Sequence, residues 1–310
     1  MAVDVETVAI SLPRRTAASP WRQALRRFSR QRSAIAGLLI IGTMILVAIF
    51  APLIAPYDPE QVLLGIEDVG KRAPPCVHLL GCDEMQSQHI MGVDGNFRDQ
   101  FSRVVYGTRV SLFIGFITVA VAMLAGVLLG AVAGYLGGWV EDVIMRILDV
   151  QLAFPFLLLA IAIVSVLGPG LMNAMLGIAI VTIPQYARVI RAGILATKEE
   201  EYAAAARAIG SSHPRILFRH ILPNAISPLI VQGTLGIGIA ILDVAALSFL
   251  GLGAQPPTPE WGSMLSSERN QVFSAPHLVF FPGMAIMLAV LGFNLLGDGL
   301  RDALDPRLKQ

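Results

Sequence analysis

The stretch EEEYAAAARAIGSSHPRILFRHILP, Glu199 to Pro223, sets the plan of this chain. It is the longest polar interruption between strongly apolar segments in the second half. Ala203, Ala204, Ala205, Ala206 and Ala208 are the strongest helix formers, and acidic residues open the run. A short helix is therefore predicted over 199–209. Gly210 is placed to end it, because glycine takes the left-handed C′ conformation without a Cβ clash. Ser211 or Ser212 can cap a second helix, with Pro214 tolerated in its first turn. The result is a helix–turn–helix between two membrane spans. Its alanine face has so little bulk that another protein's surface can approach the backbone closely.

The flanking composition is that of a membrane protein. Hydrophobic residues make up 55% of the 310 residues and charged residues only 15%, which excludes an ordinary soluble core. The run Ala34 to Ala55 is apolar, uncharged and long enough to cross a bilayer. It is too long for the core of a signal peptide, so it reads as an uncleaved first span. Residues 1–32 before it are polar and arginine-rich, and Trp21 to Arg32 reads either as a basic helix on the membrane surface or as a solvated tail. Five further apolar segments follow, near 110–135, 143–167, 174–190, 226–250 and 278–296. Six spans put both termini on one side. With that side cytoplasmic, 17 Lys and Arg lie inside and 6 outside, and the alanine-rich loop is cytoplasmic.

Within the spans, Gly126, Gly130 and Gly134 form small-xxx-small pairs, which predict close helix packing, as does the glycine at Gly115. Pro155 and Pro184 are expected to kink their helices. Asp243 lies well inside the fifth span, where a carboxylate is costly and marks either a functional site or an internal polar bond. Asn294 is a polar group in the last span and needs a partner there. Asp149 reads as an interface residue. Asp94, Arg98, Asp99 and Arg103 are spaced for ion pairing along an amphipathic helix before the second span. Trp261 suits a membrane interface, in a loop whose prolines at 256, 257 and 259 forbid one continuous helix.

Three separated motifs resemble the ABC importer permeases. Glu201, Ala204, Ala205, Ala206, Gly210, Leu222 and Pro223 fit the cytoplasmic coupling loop of that family, with Ala204 standing at its usual acidic position and Glu201 one turn earlier. The segment from His89 to Leu112 resembles the oligopeptide/dipeptide (and nickel) branch, with Val93 and Phe97 replacing a usual Thr and Gly. The end, FNLLGDGLRDALDPRLKQ, resembles the same branch, as do the QPP and WGSML pieces of the 251–270 loop, a candidate contact for an external binding protein or a plug over the cavity.

The resemblance implies an all-α membrane protein with six transmembrane helices, a type I ABC importer transmembrane domain. Its parts are a cytoplasmic tail at 1–32, a first span at 33–56, an extracytoplasmic loop at 57–103, a five-helix core at 104–305 with the coupling loop at 199–223, and a tail at 306–310. It implies a bacterial or archaeal plasma membrane location with both termini cytoplasmic. The implied partners are a second permease, two cytoplasmic ATP-binding subunits that hold ATP and Mg, an extracytoplasmic binding protein, a peptide substrate and lipid, with no nucleic acid. Asp243 and Asn294 are candidates for the translocation path, and Asp243 for contact with a peptide's amino terminus. A bulky charge at Ala205 or Ala206 is expected to leave the fold intact and uncouple ATP hydrolysis from uptake. The alternative is an ion-coupled secondary transporter using Asp243.

This chain has no G-x-x-x-x-G-K-[ST] loop and no hydrolase motif, so no cofactor or catalytic residue of its own is expected. Cys76, His78, Cys82 and His89 are ligand types, but their spacing matches no standard zinc pattern and no metal is expected. A Cys76–Cys82 disulfide suits the oxidising outer side, and the sequence leaves bonded and free forms open.

Overall fold

Backbone groups inside lipid must find their hydrogen bonds within their own segment, so long apolar runs fold as helices. The computed structural model describes residues 28–83 and 86–304, and nearly all regular structure there is helical. The principal helices are α1 (Arg32–Ile49), α2 (Gln100–Leu136), α3 (Gly138–Leu152), α4 (Phe156–Leu167), α5 (Leu171–Thr197), α6 (Glu201–Ala208), α7 (Ser227–Phe249), α8 (Trp261–Glu268) and α9 (His277–Leu304). Among the described residues, α1, α2, α5, α7 and α9 are each long and apolar enough to cross a membrane. Most of the basic tail, including most of the surface helix expected at Trp21–Arg32, lies outside the described residues, as does the tail at 306–310.

The expected third span is not one helix. α3 and α4 meet at 94°, with the break at 153–155. Pro155 has no N–H to continue α3, and its ring disfavours helical geometry at Phe154, so it becomes the N-cap of a new helix. α3 is about 22 Å long and α4 about 18 Å, each too short to span alone. Together they run the length of α5. Glu141 pairs with Arg191, Asp149 with Arg188, and Gln151 with the carbonyl of Ile180. Further along, a Cβ on Gly177 would meet Val164. Counted as one crossing, the bent pair brings the candidate spans among the described residues to six.

Pro184 sits inside α5, and that helix is unbroken. Its missing N–H frees the carbonyl four residues earlier, Ile180, and the Gln151 amide donates to that oxygen. The bundle has two distinct ends. At one, described residues of the 57–99 segment meet α2 and α8: Arg103 donates to Pro59 O and Arg72 to Glu268, while Gln100 Nε2 joins α2 to α9 by donating to Leu278 O. At the other lie the ends of α2, α5 and α9, the start of α7, and α6.

Helix association in lipid lacks a hydrophobic drive and rests on close packing. At Gly130 a Cβ would lie 2.3 Å from both Ala187 O and Ile190 Cγ2, and at Gly126 2.6 Å from Tyr186 Cβ. Apolar side chains such as Leu39, Leu124 and Leu158 point outward and are more than half exposed, as lipid-facing residues would be. Gly130→Val is expected to force α2 from α5 and cost about 1–3 kcal/mol. Gly42→Ala on α1 has open space around it and should leave the melting temperature unchanged or raised. Thermal unfolding of the two variants in nanodiscs checks this pair.

Candidate functional site

At the end opposite the 57–99 loop, α6 is held by one face only. Ala203 and Ala206 are buried against Ile216, Ile221, Ile190 and Ile194, while Glu201, Tyr202, Ala204, Ala205 and Ile209 are exposed. The alanine face is thus divided, and Ala206 belongs to the core. This corrects the expectation that a bulky charge at Ala206 leaves the fold intact. Gly210 has φ +76°, its N–H bonds to Arg207 O, and Ser211 N–H bonds to Ala206 O. These two bonds form a Schellman ending and satisfy the last carbonyls of α6. Ser212 stands at the next N-cap, but neither serine caps with its side chain. The chain then winds through His213–Arg215, a π-helical segment Ile216–Ile221 and Leu222–Ala225, so Leu222 and Pro223 begin the last of these turns. Leu222 packs against the same core.

Between α2, α4, α5 and α7 is a cavity of about 230 Å³. Asp243, Gln232 and Gly236 line it from α7, and Thr182, Gln185 and Tyr186 from α5. Asp243 Oδ2 is buried with no hydrogen-bond partner. Among the described residues no internal polar bond to a neighbouring helix accounts for it. Asn294 lines neither this cavity nor its neighbour and makes no hydrogen bond among the described residues. A larger cavity of about 600 Å³, lined by Asn224, Ser227, Gln232 and Arg301, opens at the α6 end. Gln232 lines both, so the two cavities are neighbours along α7. Gln185 and Gln232 escape a sequence reading because a neutral amide in an apolar helix carries no signal until its neighbours are known.

At the opposite end, the four charged residues of the 94–103 segment are buried and do not lie along one helix, because α2 begins at Gln100. Arg98 Nε donates to Asp94 Oδ2 at 2.8 Å, and Asp94 Oδ1 accepts from the backbone N–H of Asn96 and Arg98, closing a turn. Phe97 adopts φ +59° in that turn, a conformation that explains the glycine usual there in the resembled branch. Asp99 is the N-cap of α2, accepting from Ser102 N–H at 2.7 Å, and its other oxygen accepts from His89 Nδ1 at 2.9 Å. Arg103 donates to the carbonyls of Pro59 and Pro257, tying two loops together.

Trp261 is fully buried, and its Nε1–H donates to Val104 O. Glu260 caps α8 through the N–H groups of Gly262 and Ser263; burial pushes its carboxyl up, and those two bonds oppose the shift. Arg72 and Gly95 N–H both reach Glu268, closing this end further. Cys76 and Cys82 are bonded, with Cα atoms 5.4 Å apart. Among the described residues no three His, Cys, Asp or Glu gather as a metal set.

Comparison with known proteins places this geometry in a family. Residues 126–310 match the family described as binding-protein-dependent transport system inner membrane component, and residues 19–75 match the N-terminal TM domain of oligopeptide transport permease C. The chain is 50% identical over 299 residues to the dipeptide transport system permease protein DppC of Alkalihalophilus pseudofirmus, covering 95% of this chain and 92% of that one. It is 47% identical over 291 residues to the glutathione transport system permease protein GsiD of Pectobacterium atrosepticum, covering 94% and 92%. Its fold resembles a chain of the MetNI methionine ABC transporter in inward facing conformations, with TM-score 0.53 and 18% identity over 65% of this chain and 96% of that one. The chain belongs to the binding-protein-dependent transport system inner membrane components, as a multi-pass, non-catalytic permease subunit with the fold of an ABC importer transmembrane domain.

Proposed function

We propose that this chain forms half of the translocation path of a peptide importer, of the dipeptide and oligopeptide class that its relatives' names describe. A second permease forms the other half, two cytoplasmic subunits bind ATP and Mg, and an extracytoplasmic protein delivers cargo. The termini, α6 and the 600 Å³ opening face the cytoplasm, and the 57–99 loop faces outward. The observation that carries the reading is the divided face of α6. Ala203 and Ala206 fix it to the core, which leaves Tyr202, Ala204, Ala205 and Ile209 free to seat on another protein. Apolar groups left exposed beside a low-bulk helix suit a groove in a partner. The path lined by Asp243 and Gln232 is the conduit that such docking would open and close.

Two substitutions separate coupling from folding. Ala205→Arg should leave the protein folded and the complex hydrolysing ATP, with cargo uptake reduced about tenfold or more, the loss of one interface contact of about 1.4 kcal/mol or above. Unchanged uptake would remove the coupling role from α6. Ala206→Arg buries a charge without a partner and should destabilise the protein by about 3 kcal/mol or more, seen as loss of folded protein in detergent. Affinity purification from native membranes supplies the companion test. A second permease and ATP-binding subunits in near-equal amounts are expected, and the chain alone would overturn the importer reading.

A further inference from the structure

We infer that Asp243, with Thr182 and Gln185, forms a station for the free amino group of the cargo as it passes through the membrane; the inference rests on the peptide-importer reading above. The cavity of about 230 Å³ contains one charged side chain, Asp243, and no basic residue lines it. Arg301, the basic group of the path, belongs to the separate opening at the other side of Gln232. A buried carboxylate oxygen without a hydrogen bond is costly in a membrane and stays only where something completes it.

The neighbouring groups show what would complete it. Gln185 makes no hydrogen bond among the described residues, so its amide oxygen is free to accept. The Thr182 hydroxyl is already donated to Ile178 O and Ala179 O, which leaves its oxygen facing others only as an acceptor. The Asp243 carboxylate supplies the one charge, and with the Gln185 amide oxygen and the Thr182 hydroxyl oxygen as acceptors it suits a donor with three N–H bonds and a positive charge, which is a primary ammonium. They do not suit a carboxylate, which would be repelled. A peptide therefore enters this station by its amino end. The Tyr186 hydroxyl lies where any Cβ on Gly236 would be, 2.2 Å away, so the wall beside the station is closed to side-chain bulk.

The test uses the assembled complex in nanodiscs without nucleotide and without the binding protein, so that selection by the delivery protein does not enter. A photo-reactive dipeptide with a free amino group is cross-linked, and unlabelled Ala-Ala or N-acetyl-Ala-Ala competes. Cross-links are expected within 182–186 and 232–243, with Ala-Ala competing about tenfold better or more, since acetylation leaves the buried carboxylate unpaired. Asp243→Asn should bring the two competitors to parity, and Asp243→Glu should keep the preference. Equal competition in the unaltered complex, cross-links elsewhere, or an undiminished preference in Asp243→Asn overturns the station. ATP-driven dipeptide uptake by the unaltered complex is measured alongside. Uptake without an amino-group preference sinks only this inference, whereas absent uptake sinks the peptide-importer reading itself.

Discussion

The close approach of α2 to α5 fixes the positions of the other parts. Gly126 leaves room for the Cβ of Tyr186, and Gly130 for the carbonyl of Ala187 and the side chain of Ile190. On its far side, the Tyr186 hydroxyl fills the space left by Gly236 of α7. One buried tyrosine thus lies between glycines of two helices, and three spans are drawn together around it. A Cβ at either glycine would push the helices apart, and lipid offers no hydrophobic force to bring them back. Gln185, the next residue along α5, is thereby held at the edge of the cavity.

The same helix carries the connection to α6. Ile190 and Ile194 lie one and two turns beyond Tyr186 and share a core with Ala203, Ala206, Ile216 and Ile221. A packed core of this kind transmits displacement and does not absorb it. If a partner pulls on α6, the force passes into α5 and reaches the cavity wall within about 12 Å of helix. The second half of the loop is wound differently. Its π-helical segment Ile216–Ile221 has the wider hydrogen-bond register often found at functional bends. A packed joint of this kind suits rigid-body motion of the bundle.

Much of this plan was legible in the chain. The spans follow from length and composition, the glycine packing from its spacing, and the ending of α6 at Gly210 from the conformational freedom of that residue. The 94° break was only half legible: Pro155 marked a bend, but its size depends on α3 being held by Arg188 and Arg191, residues more than 30 positions away. The alanine face was misread because five alanines look alike in sequence; only packing decides that Ala203 and Ala206 turn inward and Ala204 and Ala205 outward. The 94–103 charges were misread for a related reason. Their spacing fits a helix, but Phe97 at positive φ and the cap at Asp99 delay the helix to Gln100.

The distribution of charge along α7 limits how cargo can pass on the proposed reading. Asp243 and Gln232 are eleven residues apart, which is about 16 Å along a helix. A dipeptide extends only about 7 Å, so it cannot hold both, and Arg301 lies in the opening beyond Gln232. The cargo must therefore leave the carboxylate before its other end meets the guanidinium. A path with a charge at every step would bind cargo deeply and release it slowly, whereas separated stations bind and let go. The neutral amide of Gln232 between the two charges is what keeps them from acting together. Replacing that neutral position with a second charge would join the stations into one trap, and this explains on physical grounds why a polar but uncharged residue suits the junction of the two cavities.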